Sequence, residues 1–172
     1  MNRLFFINLF RFLLLLSAQL LIFNKINLGG YINPMVYPLF ILLVPFEVSG
    51  KLLLLMSFLM GFGVDIFSGT MGLHAAAATL LGFLRPFSLQ FISSNREYEA
   101  GVKPGVNDLG YAWFVPYTLF LVSAHHFFFF FIETFSFQGF GLTILRTILS
   151  ILVSTLFIIL INLVFKPSIK RR

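Results

Sequence analysis

The stretch GLTILRTILSILVSTLFIILINLVF, residues 141–165, runs for 25 residues with one charge, Arg146. A hydrocarbon core of about 30 Å needs roughly 20 helical residues to cross, so this stretch is long enough to span a bilayer. The whole chain is built from the same material. It has 172 residues, a mean hydropathy of +0.97, 59% hydrophobic residues and only 10% charged ones, where a soluble domain carries about 25% charged. A soluble fold drawn from this pool would expose large apolar patches. The length supplies five or six spans and leaves no room for a separate soluble domain.

Working back from residue 141, apolar runs recur between short polar breaks. The expected fold is an all-α integral membrane protein, a six-helix transmembrane bundle in a single domain over 1–172. Its segments are approximately 4–23, 34–47, 52–66, 72–92, 111–132 and 141–165. The first competes with a secretory signal peptide, since a basic start precedes an apolar run and Ser17-Ala18-Gln19. The run continues past that point without a small-x-small site, so an uncleaved first helix is expected, with Arg11 snorkelling or facing a protein neighbour. The second segment is the weak one. Its apolar core, Met35 to Phe46, contains Pro38 and Pro45 and is too short to span upright, which predicts a kinked or partial helix. Two glycines in Ser68–Gly72 permit a sharp reversal. Pro86 predicts a kink rather than an end, because apolar sequence resumes at once. Ser93–Gly110 is the one long polar loop.

The net charge of +6 and pI near 10.0 would raise nucleic acid in a soluble protein. Here the basic residues sit at the chain ends and in the breaks, where they orient a membrane protein and meet anionic lipid. No basic face with interleaved aromatics exists for nucleic acid, and the 25 phenylalanines lie within the apolar runs as lipid-facing and packing residues. With the N-terminus inside, ten of the twelve basic residues fall inside, and only Lys25 and Arg146 fall outside. Both termini are therefore expected to be cytoplasmic. The absence of cysteine excludes thiol chemistry and disulfides.

Ionisable residues at membrane depth are functional candidates, because they are costly unless paired or watered. Asp65, Glu133 and Arg146 qualify. Asp65 and His74 flank the Ser68–Gly72 turn, and they either form a polar site at the outer mouth of the bundle or tie down the turn's free backbone groups. Glu133 and Arg146 lie on one side of the membrane, where a structural ion pair competes with a partner-binding or ligand role. His125-His126 invites a metal. Adjacent helical residues point about 100° apart and cannot clamp one ion as an i, i+4 pair would, so no metal and no cofactor are expected. No phosphate loop, nucleophile elbow or closely spaced carboxylate pair occurs within a span, and an enzyme is not expected. Ala75 with Thr79 and Ala78 with Gly82 stand four apart and give a smooth helix face for close packing, within this chain or against another.

The run Gly61-Phe62-Gly63-Val64-Asp65-Ile66-Phe67-Ser68-Gly69-Thr70-Met71-Gly72-Leu73-His74-Ala75 resembles the signature of the rod shape-determining protein MreD family. The family pattern is a helix ending in Gly-x-x-x-Asp, a glycine turn, Gly-x-His-Ala and a helix of small residues. Gly61, Asp65, Gly69, Gly72, His74 and Ala75 meet it. Leu84-Arg85-Pro86-Phe87, His125-His126 and Glu133 are similar to the variant in Bacteroidetes-type bacteria. The resemblance implies a non-enzymatic inner-membrane scaffold of the cell-elongation complex. Its implied partners are the bitopic protein MreC, the polymerase RodA with its transpeptidase, and the MreB filament, reached indirectly or through the Ser93–Gly110 loop. It also implies a fold similar to the membrane substrate-binding subunits of energy-coupling vitamin transporters. That feeds an alternative function, a small-molecule-binding subunit using an outer cavity near Asp65, His74, Glu133 and Arg146. In the scaffold reading, the small-residue face around Ala78 docks the partner.

Overall fold

The computed structural model describes residues 2–26, 28–92, 101–135 and 139–164. The basic tail from Lys166 to Arg172 and the part of the polar loop holding Arg96, Glu97 and Glu99 lie outside the described residues.

Five helices are long and apolar enough to cross a membrane. They are α1 (Asn2–Leu21), α3 (Gly50–Ser68), α4 (Leu73–Ile92), α6 (Tyr111–Thr134) and α7 (Phe140–Val164), with short helices α2 (Pro38–Leu42) and α5 (Val106–Leu109) between them. Their ends follow local chemistry. Ser49 is extended and its Oγ accepts the Leu52 N–H at 3.4 Å to start α3, and Gly69 ends it in the left-handed region at φ +70°. Pro86 sits inside α4, which continues through it to Ile92.

The distribution of residues is that of a protein solvated by lipid. Large apolar side chains are exposed on all five long helices, including Phe10, Leu55, Phe62, Phe83, Phe131 and Leu152. Polar side chains are buried: Gln19, Asp65, His74, Arg85, His125, His126, Ser150 and Ser154. Water as solvent would favour the reverse, while a bilayer accepts apolar surface and drives polar groups inward to find partners. The chain is an all-α, multi-pass membrane protein.

The long helices pack in the order α1, α3, α4, α6, α7. Residues 33–44 run through the middle of this row. The expected sixth helix over 34–47 is reduced to the five residues of α2, preceded by non-helical backbone, because Pro34, Pro38 and Pro45 deprive it of donors. Val36, Tyr37, Leu39, Phe40, Ile41, Leu42 and Val44 are all buried, so this stretch is the centre of the core and not a lipid-facing helix. Asn24 Nδ2 donates to Ser68 Oγ at 2.9 Å, placing the ends of α1 and α3 side by side. The two helices are thus parallel, and residues 26–49 return from one end of the bundle to the other.

Candidate functional site

Away from water every backbone polar group needs a protein partner, and the bundle meets that need in two places. The first is the α3–α4 turn. Asp65, in the last turn of α3, accepts the Thr70 hydroxyl (2.5 Å) and the His74 N–H (3.1 Å) on Oδ1, and the Ala75 N–H (2.8 Å) on Oδ2. A carboxylate from the preceding helix therefore caps the N-terminus of α4, where unpaired N–H groups and the helix dipole favour negative charge. The turn itself needs left-handed backbone at Gly69, Met71 (φ +45°) and Gly72 (φ +92°), which explains two glycines in four residues. Of the two alternatives for Asp65, the geometry is that of tying down the turn.

Gly61 lets α3 lie against the backbone of α4. A Cβ there would stand 2.6 Å from Ala75 Cα and on the His74 carbonyl. Ala78 is fully buried, and a Cβ on Gly82 would meet the Ser57 side chain. The small-residue face holding Ala78 and Gly82 is thus spent on packing within this chain, which corrects its expected use as the docking face.

The second place is the stretch 33–44. At its entry, Gln19 Oε1 accepts the Val36 and Tyr37 N–H groups (2.7 and 3.3 Å), and Gln19 Nε2 donates to the Pro34 carbonyl at 3.1 Å. From α7, Ser150 and Ser154 accept the N–H groups of Asn33 and Met35 at 3.0 and 2.9 Å. At its exit three successive carbonyls are met by three helices. Tyr117 Oη donates to Leu42, Arg11 Nη1 to Leu43 at 3.2 Å, and Arg85 Nη2 to Val44. Arg85 Nε also donates to Tyr117 Oη at 2.8 Å, and its guanidinium lies 5.7 Å over the Phe46 ring.

A side-chain chain links the two places. His74 Nδ1 lies 3.2 Å from Tyr37 Oη, which lies 2.6 Å from His125 Nε2; His125 and His126 meet at 3.3 Å through their Nδ1 atoms, and His126 Nε2 reaches Ser154 Oγ at 2.9 Å. The Val122 carbonyl, 2.9 Å from His126 Nδ1, can only accept. His126 therefore carries its hydrogen on Nδ1, and Nε2 of the neutral ring accepts from Ser154. That one Nδ1 hydrogen is shared between the Val122 carbonyl and, at the longer distance, His125 Nδ1, which accepts; His125 Nε2 then donates to Tyr37, and Tyr37 donates to His74. One consistent set of tautomers thus runs from α4 through the central stretch and α6 to α7. The two adjacent histidines face each other across this chain, and no group of three His, Cys, Asp or Glu residues suited to a metal occurs among the described residues.

Glu133 and Arg146 form an ion pair at 3.0 Å on the α6–α7 hairpin, with the guanidinium 4.7 Å over the Phe130 ring. The cavity expected from Asp65, His74, Glu133 and Arg146 is not assembled: Asp65 is bonded to the turn through both oxygens, His74 lies beside the Phe129 ring and is bonded to Tyr37, and Glu133 and Arg146 pair with each other on the α6–α7 hairpin. What lies beside the turn is an open groove of about 740 Å³ on the outer face of α3 and α4. Its floor is Gly72, Ala75, Ala76 and Thr79, and its walls include Phe58, Phe62, Met71 and Phe83.

Sequence reasoning missed Gln19, Tyr37, Tyr117, Ser150 and Ser154. Each is a polar residue inside an apolar run, which was the available signal, but their partners lie up to 119 residues away. No family model, curated protein or solved structure matches the chain.

Proposed function

We propose that this chain is a non-enzymatic scaffold of the bacterial cell-elongation complex in the inner membrane, of the MreD type. In this reading it couples a bitopic MreC-like protein and the peptidoglycan synthases, RodA and its transpeptidase, to the MreB cytoskeleton. The observation that carries it is the groove on the outer face of α3 and α4. Its small-residue floor and aromatic walls would seat a transmembrane helix closely, and it adjoins the Gly61–Ala75 run on which the resemblance rests. The residues of that run support the reading by their roles: Gly61 permits the close approach, Asp65 caps α4, and Gly69 and Gly72 turn the chain. They hold the groove's two walls in fixed register. Met71, fully exposed at its mouth, would meet the partner first.

In this proposal residues 33–49 make the sixth crossing. Both termini then face the cytoplasm, on the side of Lys51 and Lys103, in agreement with the distribution of basic residues.

Photo-crosslinking from single sites tests the docking face. A benzoyl-phenylalanine at Ala76 or Thr79 should capture an MreC-like partner in cells, while one at Leu156, on the lipid-facing side of α7, should not. Capture from Leu156 alone, or recovery of the bundle without partners after mild extraction, would refute this face.

A further inference from the structure

At the Lys51 end of the bundle a second cavity, about 310 Å³ in volume, opens between α1 and α7. Near the other end, the Phe23 ring, just beyond α1, stands 5.1 Å from the Phe157 ring of α7. Toward the Lys51 end the space between the two helices is walled by Phe10, Leu14 and Ile161 and closed beneath by residues 103–108. Apolar walls suit a hydrocarbon chain. The polar lining of the cavity holds two cations, Arg11 and Lys103, against one carboxylate, Asp108, with the amides of Asn8, Asn107 and Asn162.

Arg11 is the decisive one. Among the described residues only its Nη1 is engaged, with the Leu43 carbonyl and, at 3.4 Å, the Asn8 side-chain oxygen. Among the described residues no carboxylate pairs with it. It lies in the first turns of the apolar span Phe5–Lys25, where an uncompensated cation is costly and a lipid phosphate is within reach. Asn162, from α7 across the cleft, has a buried Nδ2 with no partner among the described residues. A buried donor without an acceptor is costly, so α1 presents a cation without a counter-charge and α7 an unpaired donor to the same space. Lys103 adds a second cation at the rim. Asp108 is there too, but its Oδ2 accepts the Lys103 N–H at 2.8 Å, and the lining remains net positive.

We propose that this cleft holds the phosphate of an anionic phospholipid from the leaflet at the Lys51 end, with an acyl chain lying between α1 and α7. A phosphate offers several acceptor oxygens and a negative charge, which satisfies Arg11, Asn162 and Lys103 together. The open side of the cleft lets the chain enter from the bilayer.

The test is native mass spectrometry of the full chain released from nanodiscs that mix phosphatidylglycerol with phosphatidylethanolamine. The wild type should retain phosphatidylglycerol selectively. Lys103→Gln and Asn162→Leu should each lower that retention by about fivefold, as expected for losing one charge-assisted hydrogen bond. Neither variant touches the Arg11–Leu43 bond, and a detergent melting curve confirms that each is folded; Arg11→Leu, which breaks that bond, is not relied upon. Equal retention of the two lipids, or phosphatidylglycerol retention unchanged in both variants, would overturn the proposal. Displacement of the lipid by millimolar inorganic phosphate would overturn it as well, since it would assign the site to a soluble anion.

Discussion

The α3–α4 hairpin and the central stretch 33–44 face the same demand, pairing backbone groups where water is absent, and meet it oppositely. The hairpin is self-sufficient: its cap, Asp65, lies five to ten residues from the groups it serves. The central stretch pairs its middle through the turns around α2, but its entry and exit are held by Gln19, Arg11, Arg85, Tyr117, Ser150 and Ser154 from four different helices. A local motif can be formed before the bundle assembles. A borrowed one exists only once α1, α4, α6 and α7 are in place, which makes the stretch a lock on their arrangement.

Substitutions separate the two. The largest loss is expected for Gly61→Val, because the clash is with backbone of α4 and neither side can yield; overpacking of this kind reaches the top of the ~1–3 kcal/mol range or exceeds it. Folded protein should be nearly absent from the monodisperse peak in size-exclusion chromatography, and a normal peak would show that the helices can separate there. Arg85→Met comes next, at about 2–4 kcal/mol, since it removes the donor to the buried Val44 carbonyl and one of the bonds that hold the Tyr117 hydroxyl. Arg85→Lys should rescue little, because two divergent donors are needed. Full rescue by lysine in a thermal melt would mean that charge alone matters at this position.

Asp65→Asn keeps an acceptor but gives up the charge and one of the paired oxygens, so a smaller cost of ~1–2 kcal/mol is expected. The damage should be confined to the turn, with faster hydrogen exchange at His74 and Ala75 and unchanged exchange in 33–44. Spread of the effect into the central stretch would contradict the hairpin's independence. Glu133→Gln should cost least, under ~1 kcal/mol, because the pair stands at the end of α6, is only partly buried, and the amide keeps an oxygen for Arg146; a melt indistinguishable from wild type is acceptable, whereas a loss comparable to Arg85→Met is not.

The same difference decided what could be read from sequence. The bounds of α3, α4, α6 and α7 fall within two residues of the apolar runs, because hydrophobic length and glycine breaks are local. The alternative roles of Asp65 were both visible, since its partners follow it closely. The central stretch appeared only as a run too short to span, with awkward prolines. Nothing near Pro34 or Val44 in sequence announces Ser154 or Arg85, and Tyr37 looked like one more aromatic although it joins His74 to His125. The pairing of Glu133 with Arg146 was within reach because both flank one turn. Ala78 and Gly82 showed the limit of spacing: it revealed a smooth face but not which helix covers it.

Because the chain has no cysteine, single-cysteine accessibility in intact cells tests the crossing of residues 33–49 most directly. Tyr31→Cys should react with a membrane-impermeant maleimide added from outside, Lys51→Cys only after permeabilisation, and Ile41→Cys under neither condition. Labelling of positions 31 and 51 from the same side would contradict the crossing and, with it, the shared side of the two termini.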